Sequence, residues 1–138
     1  MEYTIKYFTS DISVDKYIKR FRNEERFIEL CKECPNFGCS WGCPPFDFDT
    51  EIFLRQYKYA HLMATMIRPI RDDIPIDNMH EFILPERIRT EKKLLEMEHK
   101  YNGYTFAYSG QCLYCNDSEC TLKRNRPCLH PDNVRPSL

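Results

Sequence analysis

Cys31 to Pro45 read CKECPNFGCSWGCPP, and Cys112 to Cys128 read CLYCNDSECTLKRNRPC. The first run spaces its thiols as Cys31-x2-Cys34-x4-Cys39-x3-Cys43-Pro44, the second as Cys112-x2-Cys115-x4-Cys120-x7-Cys128. Both open C-x2-C-x4-C, and each supplies four thiols, the number that fills a tetrahedral zinc site or a four-iron cluster. Gly38, Gly42 and the Pro44-Pro45 pair suit a backbone that wraps closely around such an object. These two runs are too irregular to be helix or strand, so the regular elements must lie around and between them.

Outward from the first run, residues 2–8 alternate Tyr3, Ile5 and Tyr7 with Thr4 and Lys6, the pattern of a half-buried strand. Ser10 or Asp11 can cap a helix carrying Val14, Tyr17, Ile18 and Phe21 at i, i+3, i+4, i+7. That helix is expected to continue through Phe27, Ile28 and Leu30 to the first cysteines. Asp49 and Thr50 start a short helix with Ile52, Phe53 and Tyr57. Tyr59–Ile67 is short and apolar and reads as a buried strand, followed by a Pro-containing loop from Arg68 to Asp77. Asn78 and Glu81 form a capping-box pattern before the longest helical stretch, which Pro85 is expected to break or kink. Leu94, Met97 and Tyr101 share a face beyond it, and Asn102-Gly103 marks its end. Tyr104, Phe106 and Tyr108 alternate as a strand leading into the second run. The expected fold is α+β, with a small mixed or antiparallel sheet, helices and two cysteine-rich metal-binding loops.

The chain has 138 residues, which predicts a single cysteine-rich domain spanning 1–138. Its 20 basic and 21 acidic side chains lack the excess of a nucleic-acid binder, and no apolar run approaches the ~20 residues of a membrane helix. The N-terminus has neither the basic start nor the apolar stretch of a signal peptide, so a cytoplasmic location is expected, where thiols stay reduced. Clustered thiols in that compartment bind metal more often than they pair. A bacterial ferredoxin motif, C-x2-C-x2-C-x3-C-P, differs from the first run only in its middle spacing, which favours an iron–sulfur cluster. The alternative is zinc held by the two C-x2-C knuckles, a structural staple without a redox role. No nucleophile motif, phosphate loop or dinucleotide fingerprint is present, so any catalysis requires the metal centre itself, for example an open iron site on Cys31, Cys34 and Cys43. The expected partner is a redox or other protein, with neither nucleic acid nor membrane.

Several blocks together carry a resemblance: Cys34-Pro-Asn-Phe-Gly38, Trp41-Gly-Cys43-Pro-Pro-Phe46, Gly110-Gln-Cys112-Leu-Tyr-Cys115, Pro127-Cys128-Leu-His-Pro131 and Arg135-Pro-Ser137. In this order they resemble a domain-of-unknown-function family described as predicted metal-binding proteins. The resemblance implies metal-type positions at Cys34, Cys43, Cys112, Cys115, Cys120 and Cys128, with Cys31 beside them. It implies no reaction. Cys39 stands where that family usually has a non-thiol residue, so spacing makes it a ligand and resemblance makes it dispensable. Trp41, Phe37 and Phe46 could shield a cluster or simply pack. His130 is expected to be structural or solvated rather than a ligand, and Lys123, Arg124 and Arg126 to form a solvated loop.

Overall fold

The computed structural model describes residues 2–106, 110–115 and 119–138. Strand β1 (Tyr3–Ser13) pairs with β2 (Tyr59–Pro69) as an antiparallel ribbon, Tyr3 opposite Pro69 and Ser13 opposite Tyr59. Between the strands lie α1 (Val14–Phe21), α2 (Glu24–Lys32), the first cysteine loop and α3 (Thr50–Arg55). After them come α4 (His80–Tyr101) and an irregular C-terminal segment with one 3-10 turn at Thr121–Arg124. The fold is α+β, as the sequence predicts.

β1 outlasts its expected end at residue 8. Pairing with β2 carries it through the polar Thr9-Ser10-Asp11, and Asp11 meets His61 across the ladder at 2.7 Å. Ser13, rather than Ser10 or Asp11, then caps α1 by accepting from the Lys16 N–H at 3.2 Å. Val14 and Ile18 of α1 bury against Leu54 of α3, with Tyr17, Tyr57, Ala60 and Phe106 packed around them.

The single helix expected up to the cysteines is two. Arg22 is extended, and Asn23 caps α2 through the Arg26 N–H at 3.1 Å, worth about 1 kcal/mol. The break frees the Arg22 guanidinium to reach Glu24 and Thr50. α3 begins as expected, with Asp49 accepting from the Ile52 N–H at 2.9 Å.

β2 is not the buried strand that its apolar run suggests. Tyr59 is 66% exposed, Met66 44% and Leu62 37%. A two-stranded ribbon buries a face only where a helix lies on it: α4 takes Tyr3 and the Glu86-bonded end, and the α1–α3 core takes Ala60.

The capping box at Asn78 and Glu81 does not form. A 3-10 turn, Ile76–Asn78, runs straight into α4, and the Met79 carbonyl accepts from the Phe82 and Ile83 N–H groups at 3.1 Å each. Pro85 does not break the helix, although an interior proline costs ~3 kcal/mol. The two most buried side chains flank it and offset that cost. Phe82 packs edge-on against Tyr3, and Glu86 accepts from Tyr3 and Tyr7 hydroxyls at 3.2 and 3.4 Å and from Arg89 at 2.5 Å. At the other end Asn102 takes the left-handed conformation, and the Gly103 N–H bonds the Glu98 carbonyl. Tyr101, expected beside Leu94 and Met97, is exposed instead. Residues 104–106 form no strand, but Tyr104 and Phe106 pack their rings on Phe53, while Tyr108 lies outside the described residues. Among the described residues no helix is long and apolar enough to cross a membrane.

Candidate metal centre

α2 delivers Cys31 in its last turn, and the chain then descends through consecutive tight turns. Cys34 N–H bonds Cys31 O, Phe37 bonds Cys34 O, Cys39 bonds Asn36 O and Cys43 bonds Ser40 O, at 2.9 to 3.1 Å. Gly38 adopts φ 67°, open to glycine at no steric cost, and its N–H returns to the Pro44 carbonyl at 2.9 Å. The loop therefore closes on itself around its third and fourth thiols. Cys31, Cys39 and Cys43 are half-buried, and Cys34 is exposed.

The second group has no helix to carry it, but it holds its shape through short bonds of its own. The Thr121 hydroxyl donates to the Pro127 carbonyl at 2.9 Å, closing the stretch between Cys120 and Cys128. Two sulfurs accept backbone N–H groups two residues ahead: Cys112 from Tyr114, and Cys128 from His130 at 3.3 Å. Such bonds favour the thiolate, the form that ligates metal, and they tune a cluster once bound.

Three contacts bring the two segments together. The Trp41 indole N–H donates to the Thr121 hydroxyl at 3.2 Å, and the Ser137 N–H donates to the Gly42 carbonyl at 2.8 Å. The backbones approach closely at Gly42: a Cβ there would sit 3.3 Å from the Arg135 carbonyl. Arg135 itself grips Glu98 of α4 with two bonds, 2.5 and 2.9 Å, and lies over the Tyr104 ring at 5.3 Å. Arg135 holds the Glu98 carboxyl below its ordinary range. The C-terminal tail is thus pinned to the long helix on one side and to the first cysteine loop on the other.

The result is a meeting of the two groups at Cys43 and Cys112, which line one cavity beside α4. Burial raises the Cys43 pKa, a hydrogen bond from the Ser40 hydroxyl opposes this, and charges on Cys34, Cys31 and Cys112 add to the rise. Burial likewise raises Cys112, opposed by the Tyr114 N–H, with Cys115, Cys120 and Cys128 adding. Seven thiols are therefore within electrostatic reach along one chain of neighbours. Cys39 is not among the three thiols acting most strongly on Cys43, though only three residues separate them. No disulfide joins any of the eight cysteines, and among the described residues no three Cys, His, Asp or Glu side chains stand together as a ready cage for an ion.

The remaining candidates fall in plainer surroundings. The His130 ring lies 6.0 Å from Tyr114, His61 bonds Asp11, and His80 bonds the Asp77 carbonyl. Trp41 is 40% exposed and Phe46 stacks on Phe48, so they form no closed apolar shell. Lys123 pairs with Glu119 at 3.2 Å across one exposed turn. Sequence reasoning passed over Ser40, Gly42 as a contact point, and the Glu98–Arg135 pair. Only the Arg135-Pro-Ser137 block gave any hint of the last, since Glu98 is one of many acids on a charged helix.

No curated protein and no solved structure matches this chain at a significant level. A family model does, and it begins inside α1, so that it takes in both cysteine groups, β2, α4 and the pinned tail. Its match over residues 17–138 shows that the chain belongs to the family described as predicted metal-binding protein (DUF2284).

Proposed function

We propose that the thiols meeting at Cys43 and Cys112 bind an iron–sulfur centre, and that the protein acts in electron transfer or as a redox-responsive module in the reducing cytoplasm. The observation that carries this reading is the convergence itself. Two segments 69 positions apart in sequence (43 to 112) are tied by Trp41–Thr121, Gly42–Ser137 and Gly42–Arg135 so that their thiols become neighbours. Cys112, Cys115, Cys120 and Cys128 supply one complete set of four, and Cys31, Cys34 and Cys43 approach it from the other loop.

The residues present suit such a group. Thiolates are the ligands of iron–sulfur clusters, and the Ser40, Tyr114 and His130 hydrogen bonds to sulfur are of the kind that set their potentials. With no three side chains already caged among the described residues, the loops draw inward on binding, so metal binding and local folding are coupled. When bound, such a centre supplies a one-electron site. The surrounding residues hold the loops in place and keep part of the water away. Its partner is then a redox protein.

Anaerobically purified protein tests the reading by its visible spectrum before and after a strong reductant. Brown protein that bleaches reversibly, with its helical circular dichroism kept, is the expected result. A metal-loaded sample that is colourless and silent to reductant overturns it in favour of a zinc staple, because Zn²⁺ has no accessible redox step.

A further inference from the structure

We infer that the Arg87–Glu91 pair on α4 is the charge partner of the thiolate centre: Arg87 offsets the negative charge of the bound centre, and Glu91 holds Arg87 in place. The inference rests on the proposed function only in needing metal held by the thiols, whether iron–sulfur or zinc. Four residues apart, the two side chains share one face of the helix, and the Arg87 Nε–H donates to a Glu91 carboxylate oxygen at 2.8 Å. They line the same cavity as Cys43 and Cys112. That cavity holds about 30 Å³, room for roughly one water molecule, so little solvent separates the pair from the thiols.

Burial sets this pair apart. The Arg87 and Glu91 side chains are 10% and 16% exposed, whereas Lys19 and Asp15, an i,i+4 pair on α1, are 70% and 56% exposed. Taking two charges out of water often costs more than their mutual attraction returns, and apolar side chains of similar size then serve stability as well or better. Further along the same wall of the cavity α4 presents such side chains, Leu94 and Leu95. Packing alone gives no reason for a charged pair at Arg87 and Glu91. A third charge beside them does.

Four thiolates around Zn²⁺ or around a [4Fe–4S]²⁺ core form a dianion. A cation lining the cavity beside two of those thiols stabilises it, the more so where little water screens the charges. Tyr114, whose backbone N–H reaches the Cys112 sulfur, registers both sets of charge. Burial raises its hydroxyl pKa, Glu91 and Cys112 add to the rise, and Arg135 and Arg87 oppose it. Arg135, bonded twice to Glu98, is a second cation on this wall. Without metal, losing either member of the Arg87–Glu91 pair leaves one buried charge unpaired, at a similar cost. With a dianion beside them the two losses differ, because Glu91 alone repels it and Arg87 alone is compensated by it.

The rate of metal loss to a chelator, measured without oxygen on the full chain, tests the inference. Arg87→Gln is expected to lose metal roughly tenfold faster than wild type. Arg87→Lys, which keeps the charge, is expected to recover most of that difference, and Glu91→Gln to lose metal no faster than wild type. Lys19→Gln, which removes the same charge from the exposed pair with Asp15, is expected to leave the rate unchanged. On iron–sulfur protein the midpoint potential should also fall in Arg87→Gln and rise in Glu91→Gln. On zinc-loaded protein, which would end the iron–sulfur reading, the same loss rates decide. Equal acceleration in Arg87→Gln and Glu91→Gln would make the pair merely structural and overturn the inference. So would an Arg87→Gln rate no faster than wild type, an Arg87→Lys rate equal to it, or a Lys19→Gln rate as fast. Should Arg87→Gln fail to fold by circular dichroism, Glu91→Gln decides alone: faster loss there overturns the inference. A wild-type chain that holds no metal overturns both this inference and the proposed function.

Discussion

Cys43 and Cys39 are the residues on which two lines of reasoning part. Ferredoxin-like spacing makes both of them ligands, whereas the family resemblance keeps only Cys43. The structure puts Cys43 beside Cys31, Cys34 and Cys112, and Cys39 is not among its strongest thiol neighbours. Single Cys→Ser changes should therefore empty metal most completely at Cys112, Cys115, Cys120 and Cys128, strongly at Cys34 and Cys43, less at Cys31 and least at Cys39. Metal per chain, measured by elemental analysis on each variant, ranks them; equal losses for Cys39→Ser and Cys43→Ser would restore the ferredoxin-like first site. Gly42 is a second sharp case. Its Cβ-free approach to the Arg135 carbonyl leaves no slack against backbone, so Gly42→Ala should cost about 1–3 kcal/mol through overpacking, read as a lowered thermal midpoint. The thiol spacings were legible in the sequence because they are local. The role of Gly42 was not, because it depends on a tail more than ninety positions away.

At the scale of elements, periodicity located β1, α1, α3, β2 and α4, and it failed wherever a neighbour in space overruled a local preference. The Asn78-x2-Glu81 pattern lost to a 3-10 turn that feeds α4 directly, and Pro85 is carried by the burial of Phe82 and Glu86 around it. The apolar run of β2 suggested burial, but among the described residues the ribbon has two strands, and Tyr59, Leu62 and Met66 of β2 are exposed. The helix expected from residue 14 to the cysteines ends at Phe21, because Arg22 and Asn23 find better bonds with Thr50, Glu24 and Arg26. The tie that the sequence hid most fully, Glu98–Arg135, also gives the clearest pH dependence. Glu98 has a lower pKa in the folded chain than unfolded, so its contribution is complete above the ordinary carboxylate range. It is lost as pH falls through the depressed folded value. Acidification below the ordinary carboxylate range should therefore release the tail from α4. Arg135→Ala should do the same at neutral pH, at a cost of roughly 2–4 kcal/mol, since both side chains are largely buried. Amide exchange of residues 130–138 against pH distinguishes this from global unfolding: early loss confined to the tail is expected, and simultaneous loss throughout the ribbon would contradict it.

For the whole molecule, the regular elements form a thin frame, with few buried side chains beyond Val14, Ile18, Leu54 and Phe82. Two long irregular segments hang from this frame, and both carry thiols. A chain built this way relies on something other than its apolar core to fix those segments, and metal binding of the coupled kind can supply it. Stripping metal with a chelator under reducing conditions should then loosen residues 31–45 and 112–130 while β1, β2 and α4 keep their exchange protection. Protection lost evenly across the chain would mean that the centre props up the entire fold. The most direct test of the central claim is the count of iron, zinc and acid-labile sulfide per chain in protein purified without oxygen, taken for wild type and for Cys112→Ser. An iron–sulfur centre at the meeting of the two loops predicts iron and sulfide in matching amounts in the wild type and a steep fall of both in the variant. Stoichiometric zinc without sulfide, or iron and sulfide undiminished in Cys112→Ser, would contradict it.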